Sequence, residues 1–158
     1  SLGSPSLPLS FFRALLDECA GSVSVHVIEH AGIPVAALMG FHHGGDFLAY
    51  YSGSAPGADR DLSASNFLYL ALQEWAVGRG FRRFDFGRSR KDSGAYRFKV
   101  HQGFEPSELH YSFHLVRAGS LPSLNPSNPK LHLAQATWRH LPMGLTRIFS
   151  GPLARFLP

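Results

Sequence analysis

Residues 82–111 read RRFDFGRSRKDSGAYRFKVHQGFEPSELHY, and thirty residues there predict a strand, a polar turn, a basic helix and a second strand. From Arg82 to Phe86 the side chains alternate: Phe84 and Phe86 share one face, Arg83 and Asp85 the other, the period-two pattern of a strand. Gly87 ends it. Arg88, Ser89 and Arg90 then supply three donors where the strand hands over to a helical run over 91–101, and a helix N-terminus favours anions. Tyr96, Lys99 and Gly103 fall near one helical face with Phe98 alongside, and Pro106 blocks further helix before a strand expected over 108–116.

Working outward, Ser10 reads as the cap of a helix reaching about residue 20, with Phe11, Phe12, Leu15, Leu16 and Cys19 at buried-face spacing. Strands are expected over 23–29, 33–42 and 47–52. Ala31-Gly32 and the run 43–46 between them are hairpin connections, giving an antiparallel meander. A loop rich in Gly, Pro and Asp leads to Ser63, read as the N-cap of a helix whose Leu68, Ala71, Leu72 and Trp75 line one side before Gly78 and Gly80 stop it. Residues 120–130 (SLPSLNPSNPK) exclude regular structure. Two amphipathic helices are expected beyond, over 130–140 and 145–157, which pack on the core or touch a membrane interface.

Composition sets bounds. The chain has 158 residues, 44% hydrophobic, 13% aromatic and 16% charged, enough for one domain with a sizeable core and too apolar for disorder. The net charge is +4, with no block of five like charges, so a local anion pocket is expected rather than a DNA track. The longest apolar run, 33–41, contains Pro34 and Gly40 and is too short to span a membrane. The single cysteine, Cys19, excludes an internal disulfide and reads as a buried structural thiol. No metal site is expected. His110 and His114 stand four residues apart, about 13 Å along a strand, and His42 and His43 point to opposite faces. His43, near a loop end, is a minor candidate for proton transfer.

The ordered series FDFGRS, YRFK, GFEP and LHY, with Asn66 to Tyr69 upstream and the tail NPSNPK followed by TWRHLPMGLTRIFSGPLARFLP, resembles FemAB-like proteins, in the branch found beside exosortase and exopolysaccharide genes. The resemblance covers nearly the whole chain. It implies the second of two tandem GNAT acyltransferase folds: α/β (α+β), a mixed, largely antiparallel sheet flanked by helices, with a C-terminal helical tail. The element order α-β-β-β-α-β-α-β agrees with that core. Residues 1–9 are then a linker from a missing N-terminal half, 10–118 the GNAT-like domain, and 119–158 the Pro/Asn-rich loop and tail.

The function so implied is transfer of an acyl or aminoacyl group to an amine of a cell-envelope, peptidoglycan or exopolysaccharide precursor. The donor is a co-substrate, aminoacyl-tRNA or acyl-CoA, and no cofactor is held tightly. CoA ranks second, because ordinary GNAT enzymes carry a Gln/Arg-x-x-Gly-x-Gly/Ala loop before the long helix and SGSAPGADRDLSASN does not supply it. The resemblance assigns Lys99 to the developing oxyanion or leaving-group charge and Phe98 to the wall of the site. Arg88 clamps a phosphate or carboxylate, Ser89 and Tyr96 orient substrate, and Asn66 joins them. Asp85 is either the general base or the partner of Arg88. Expected partners are the N-terminal half, a phosphate-bearing donor or envelope precursor, and a peripheral membrane contact, with no DNA; the expected compartment is the cytoplasm, at the inner membrane face. Two alternatives stay open: a CoA-dependent N-acetyltransferase, and a non-catalytic half that only binds substrate.

Overall fold

The computed structural model of the chain describes residues 7–116. By its contacts the chain divides into two units, Leu15–Ser107 in one and Ser1–Ala14 with Glu108–Pro158 in the other. The elements are α1 (Leu9–Glu18), β1 (Val23–His30), β2 (Ile33–His43), β3 (Asp46–Ser54), α2 (Ala58–Leu62), α3 (Ala64–Gly78), β4 (Arg83–Asp85) and α4 (Gly94–His101).

In the larger unit a four-stranded sheet runs β1-β2-β3-β4. The first two pairings are antiparallel and β3–β4 is parallel, so the mixed, largely antiparallel sheet expected from the sequence is present. Ala31 and Gly32 both take positive φ (51° and 75°) in the β1–β2 turn, the conformation that matches the twist of a two-residue hairpin.

The core lies where α3 crosses the sheet. Leu68 and Leu72, one helical turn apart, are buried against Ala36, Leu38, Phe47 and Ala49, and Ala76, a turn further on, is buried as well. Phe47 is 0% exposed and its ring meets Trp75, Phe81 and Phe84 at centroid distances of 5.4, 5.8 and 5.2 Å. Burial of one such side chain contributes about 1.5–3 kcal/mol. Gly40 makes this possible, because a Cβ there would lie 2.2 Å from the Phe47 ring.

One irregularity opens the sheet. Gly40 pairs with Ala49 but Met39 pairs with Tyr51, so β3 carries one extra residue, Tyr50, a β-bulge that bends the strand and increases its twist. The bulge falls two residues after Leu48, the last β3 residue paired with β4. The ladder between β3 and β4 ends at Leu48 and Asp85, after three paired positions, just ahead of the bulge.

Several expectations are corrected. α1 begins at Leu9, so Ser10 lies inside its first turn rather than capping it. The Gly/Pro/Asp loop contains a five-residue helix, α2, which starts after Gly57 at φ 84°. α4 starts at Gly94 rather than near Lys91, because Asp92 takes φ 63° and breaks the helical run, after which the Ser93 hydroxyl accepts from the Tyr96 amide at 3.1 Å. Residues 108–116 are not strand, and no ladder among the described residues includes them. Alternation makes a segment extended, but only a neighbouring backbone makes it a strand. Within that smaller unit Tyr111 stacks on Phe113 at 6.4 Å. Cys19 is half-buried at the end of α1 rather than fully enclosed. The expected helices over 130–140 and 145–157 lie outside the described residues.

Candidate active site

Past β4 the chain makes a turn that its own side chains hold. The Gly87 amide donates to Asp85 Oδ1 at 2.7 Å, an Asx turn, and Gly87 takes φ 66°. Lys99, reaching back from α4, donates to the carbonyls of Phe86 (2.6 Å), Gly87 (3.0 Å) and Arg88 (3.3 Å). An ammonium has three protons, and all three serve to close the turn against the helix. Burial pushes the Lys99 pKa below its ordinary 10.5, opposed by the nearby Asp85 charge. In this arrangement Lys99 positions the turn.

The turn presents Arg88 and Arg90 outward, both exposed, with Ser89 between them turned inward. Among the described residues, the Ser89 hydroxyl is the buried side-chain polar atom without a hydrogen-bond partner. Such an orphan calls for an explanation, and a group kept for a ligand is one.

Aromatic rings hold the other side. Tyr69 of α3 stacks on Phe86 (4.6 Å, 16° between planes) and meets Phe98 at 5.4 Å, while its hydroxyl lies 3.2 Å from Ser52 Oγ on the outer half of β3. Phe86 also packs on Phe104 at 3.8 Å. Tyr69 thus spans from the bulged half of β3 to the turn. At the first turn of α3, Asn66 Oδ1 accepts from Gln102 Nε2 at the end of α4, 2.8 Å away, which fixes α4 to α3.

The structure therefore brings Asp85, Arg88, Ser89, Phe98 and Lys99 together around one turn, with Asn66 anchoring the far end of α4. Tyr96 is half-buried in the first turn of α4, where its backbone amide meets the Ser93 cap. The later start of α4 places Arg88 six residues ahead of the helix rather than at its first turn. Sequence reasoning missed Tyr69, Ser52 and Asp59. Tyr69 is three residues after Asn66 and three before Leu72, packed against the edge of the core cluster, and that spacing was a usable signal. Asp59 was passed over as loop; it accepts from the Ser65 amide at 2.8 Å and from Ser54 Oγ, and both bonds hold its carboxyl below the ordinary 3.8.

His26 and His42 sit near the other end of the sheet. His26 contacts Trp75 at 4.4 Å and lies 2.9 Å from Ser24 Oγ; burial and His42 lower its pKa from 6.5. Among the described residues no group of three or more His, Cys, Asp or Glu side chains can hold a metal ion, and no helix is long and apolar enough to cross a membrane.

Comparison with known proteins gives this architecture its relatives. No curated protein matches the chain. Among solved structures it is similar to the aminoglycoside acetyltransferase AAC(6')-Iy in complex with a bisubstrate analogue, CoA-S-monomethyl-acetylneamine, at 18% identity and TM-score 0.55 over 72% of this chain and 84% of that one. It is similar to an aminoglycoside acetyltransferase from an uncultured soil metagenomic sample in complex with sisomicin, at 17% identity and TM-score 0.53 over 70% and 76%. A transcriptional regulator from Bacillus halodurans C-125 shares the fold at 19% identity and TM-score 0.51 over 69% and 77%. Identities this low establish the fold alone. A family model for an acetyltransferase (GNAT) domain matches residues 1–100, and with all four strands, α3 and the β4–α4 turn inside that match, the chain belongs to the GNAT acetyltransferase domain family.

Proposed function

We propose that this chain catalyses N-acyl transfer from an acyl thioester of the CoA class to a primary amine, in the cleft between the bulged half of β3 and the β4–α4 turn. The observation that carries this reading is the separation of β3 from β4. From residue 49 to 54, β3 has no strand partner on its β4 side among the described residues. An exposed strand edge is a template for an extended, amide-bearing chain, and the pantetheine arm of an acyl thioester is one. Family membership supports acyl transfer, and the CoA-linked analogue held by AAC(6')-Iy supports this donor class.

In the reaction the amine nitrogen attacks the thioester carbonyl. The C–N bond forms, the C–S bond breaks, and the proton the amine gives up passes through solvent to the departing thiolate, which leaves as the thiol. The Ser89 hydroxyl, buried without a partner in the β4–α4 turn, is the group this reading assigns to orienting the reacting groups, and Arg88 clamps an anionic part of the substrate. Asp85 shapes the turn, and Lys99 positions it through the three carbonyls. The resemblance of the 82–111 run to FemAB-like proteins supports, as acceptor, an amine on a cell-envelope or exopolysaccharide precursor, with an N-terminal GNAT-like half as partner.

Hydrogen exchange tests the donor seat. Acetyl-CoA is expected to slow exchange of amides within 49–54 and to leave β1 unchanged. Protection elsewhere with none in 49–54 refutes the cleft assignment.

A further inference from the structure

α3 begins just beyond the C-terminal end of β3, beside the proposed cleft, and the first amides of a 15-residue helix offer partial positive charge to any anion within reach. In this chain that charge is already answered. The N-cap residue, Ser63, is left-handed (φ 52°) and its side chain makes no capping bond. Asp59 takes its place: Oδ1 accepts from the Ser65 amide at 2.8 Å, and Oδ2 accepts from the hydroxyl of Ser54, the last residue of β3. One carboxylate thus bridges the end of the strand and the start of the helix. Ser54 and Ser65 hold it in its charged form at neutral pH. The neighbouring Arg60 does not cancel it, since its guanidinium is paired with Asp61 at 2.7 Å. Residues 58–62 place two carboxylates against one cation at this helix start.

We propose that Asp59 is a specificity-determining residue for the acyl carrier: its carboxylate closes the α3 N-terminus to phosphate, so the cleft holds its donor by the thioester-bearing arm and gains nothing from a diphosphate. This inference rests on the thioester-donor reading above. A helix start that already holds the chain's own anion, bound at the Ser65 amide, repels a second one. A pantetheine thioester lacking any phosphate then binds as well as the corresponding CoA thioester.

Asp59→Asn tests this. Asparagine keeps a carbonyl oxygen for the Ser65 amide, and Asn caps helices as well as Asp does, so the fold is preserved while the charge is lost. Affinities of CoA and of pantetheine are measured by calorimetry for both proteins, with a thermal melt as a check on folding. The wild type is expected to bind the two within about threefold, and the variant to bind CoA at least about tenfold tighter with pantetheine affinity unchanged. Equal CoA affinity in the two proteins, or a parallel change for both ligands, overturns the assignment. If the variant melts early, Asp59→Ser, which keeps a short capping oxygen, is measured in its place against the same criteria. The two readings separate: a selective gain for CoA with no acyl transfer from either thioester upholds the role of Asp59 and refutes N-acyl transfer.

Discussion

Lys99 Nζ lies 2.6 Å from the carbonyl oxygen of Phe86, across thirteen residues of sequence. Together with the carbonyls of Gly87 and Arg88, this bond makes the helix α4 the support of the turn it follows. Removing the ammonium leaves the partly buried Phe86 carbonyl without its donor and hands the exposed Gly87 and Arg88 carbonyls to water. Lys99→Met is expected to cost about 1.5–3 kcal/mol in urea unfolding and to lower acyl transfer at the same time. Loss of rate with an unchanged unfolding midpoint contradicts the positioning role and restores a direct one at the oxyanion.

Ser89 should behave in the opposite way. Its hydroxyl is buried without a protein partner, so Ser89→Ala removes a desolvated polar group and leaves stability level or raised by up to about 1 kcal/mol. Transfer rate is expected to fall. A variant that is destabilised and keeps full activity shows that the hydroxyl serves the fold instead.

Gly40 and Phe47 are locked together. A methyl at residue 40 lies 2.2 and 2.6 Å from two ring carbons of Phe47, and that ring has nowhere to go, being in contact with Trp75, Phe81 and Phe84. Gly40→Ala is expected to destabilise by about 1–3 kcal/mol, the range of overpacked cores. A chemical melt superimposable on that of the wild type contradicts this packing.

His26 gives the fold a pH dependence. Burial holds its pKa below 6.5 in the folded chain, so the unfolded state binds the proton first. Its contribution is full above about pH 6.5 and is lost as pH falls from there toward the folded pKa. Midpoints measured between about pH 8 and about pH 5 should fall on the acid side, and His26→Gln should flatten that slope. Asp59 acts lower, below its ordinary 3.8, outside that window.

The alternation of Arg83, Phe84, Asp85 and Phe86, and the repeat of Leu68 and Leu72, made β4 and α3 legible, because each pattern reports a face that must be buried. The hairpin at Ala31-Gly32 was legible for a local reason, the positive φ such turns need. What escaped depends on neighbours. The bulge at Tyr50 shows only against β2, and the capping of α3 by Asp59 only once α2 folds the carboxylate back onto Ser65. The alternation over 108–116 predicted a strand, and no ladder among the described residues takes it up. At the site, the turn and its donors were legible from GRSR, but not the direction of Lys99, whose three bonds go to backbone that carries no sequence signal.

If the cleft beside β3 moves an acyl group from a thioester to an amine, free thiol must appear only when an amine is present. Thiol release from acetyl-CoA is therefore followed with and without a panel of amines that includes amino sugars, on wild type and Ser89→Ala. Amine-dependent release by the wild type is expected, matched mole for mole by N-acetylated product and reduced at least about tenfold in the variant. No amine-dependent release from any thioester, with acyl transfer from aminoacyl-tRNA in its place, contradicts thioester-to-amine transfer in this cleft.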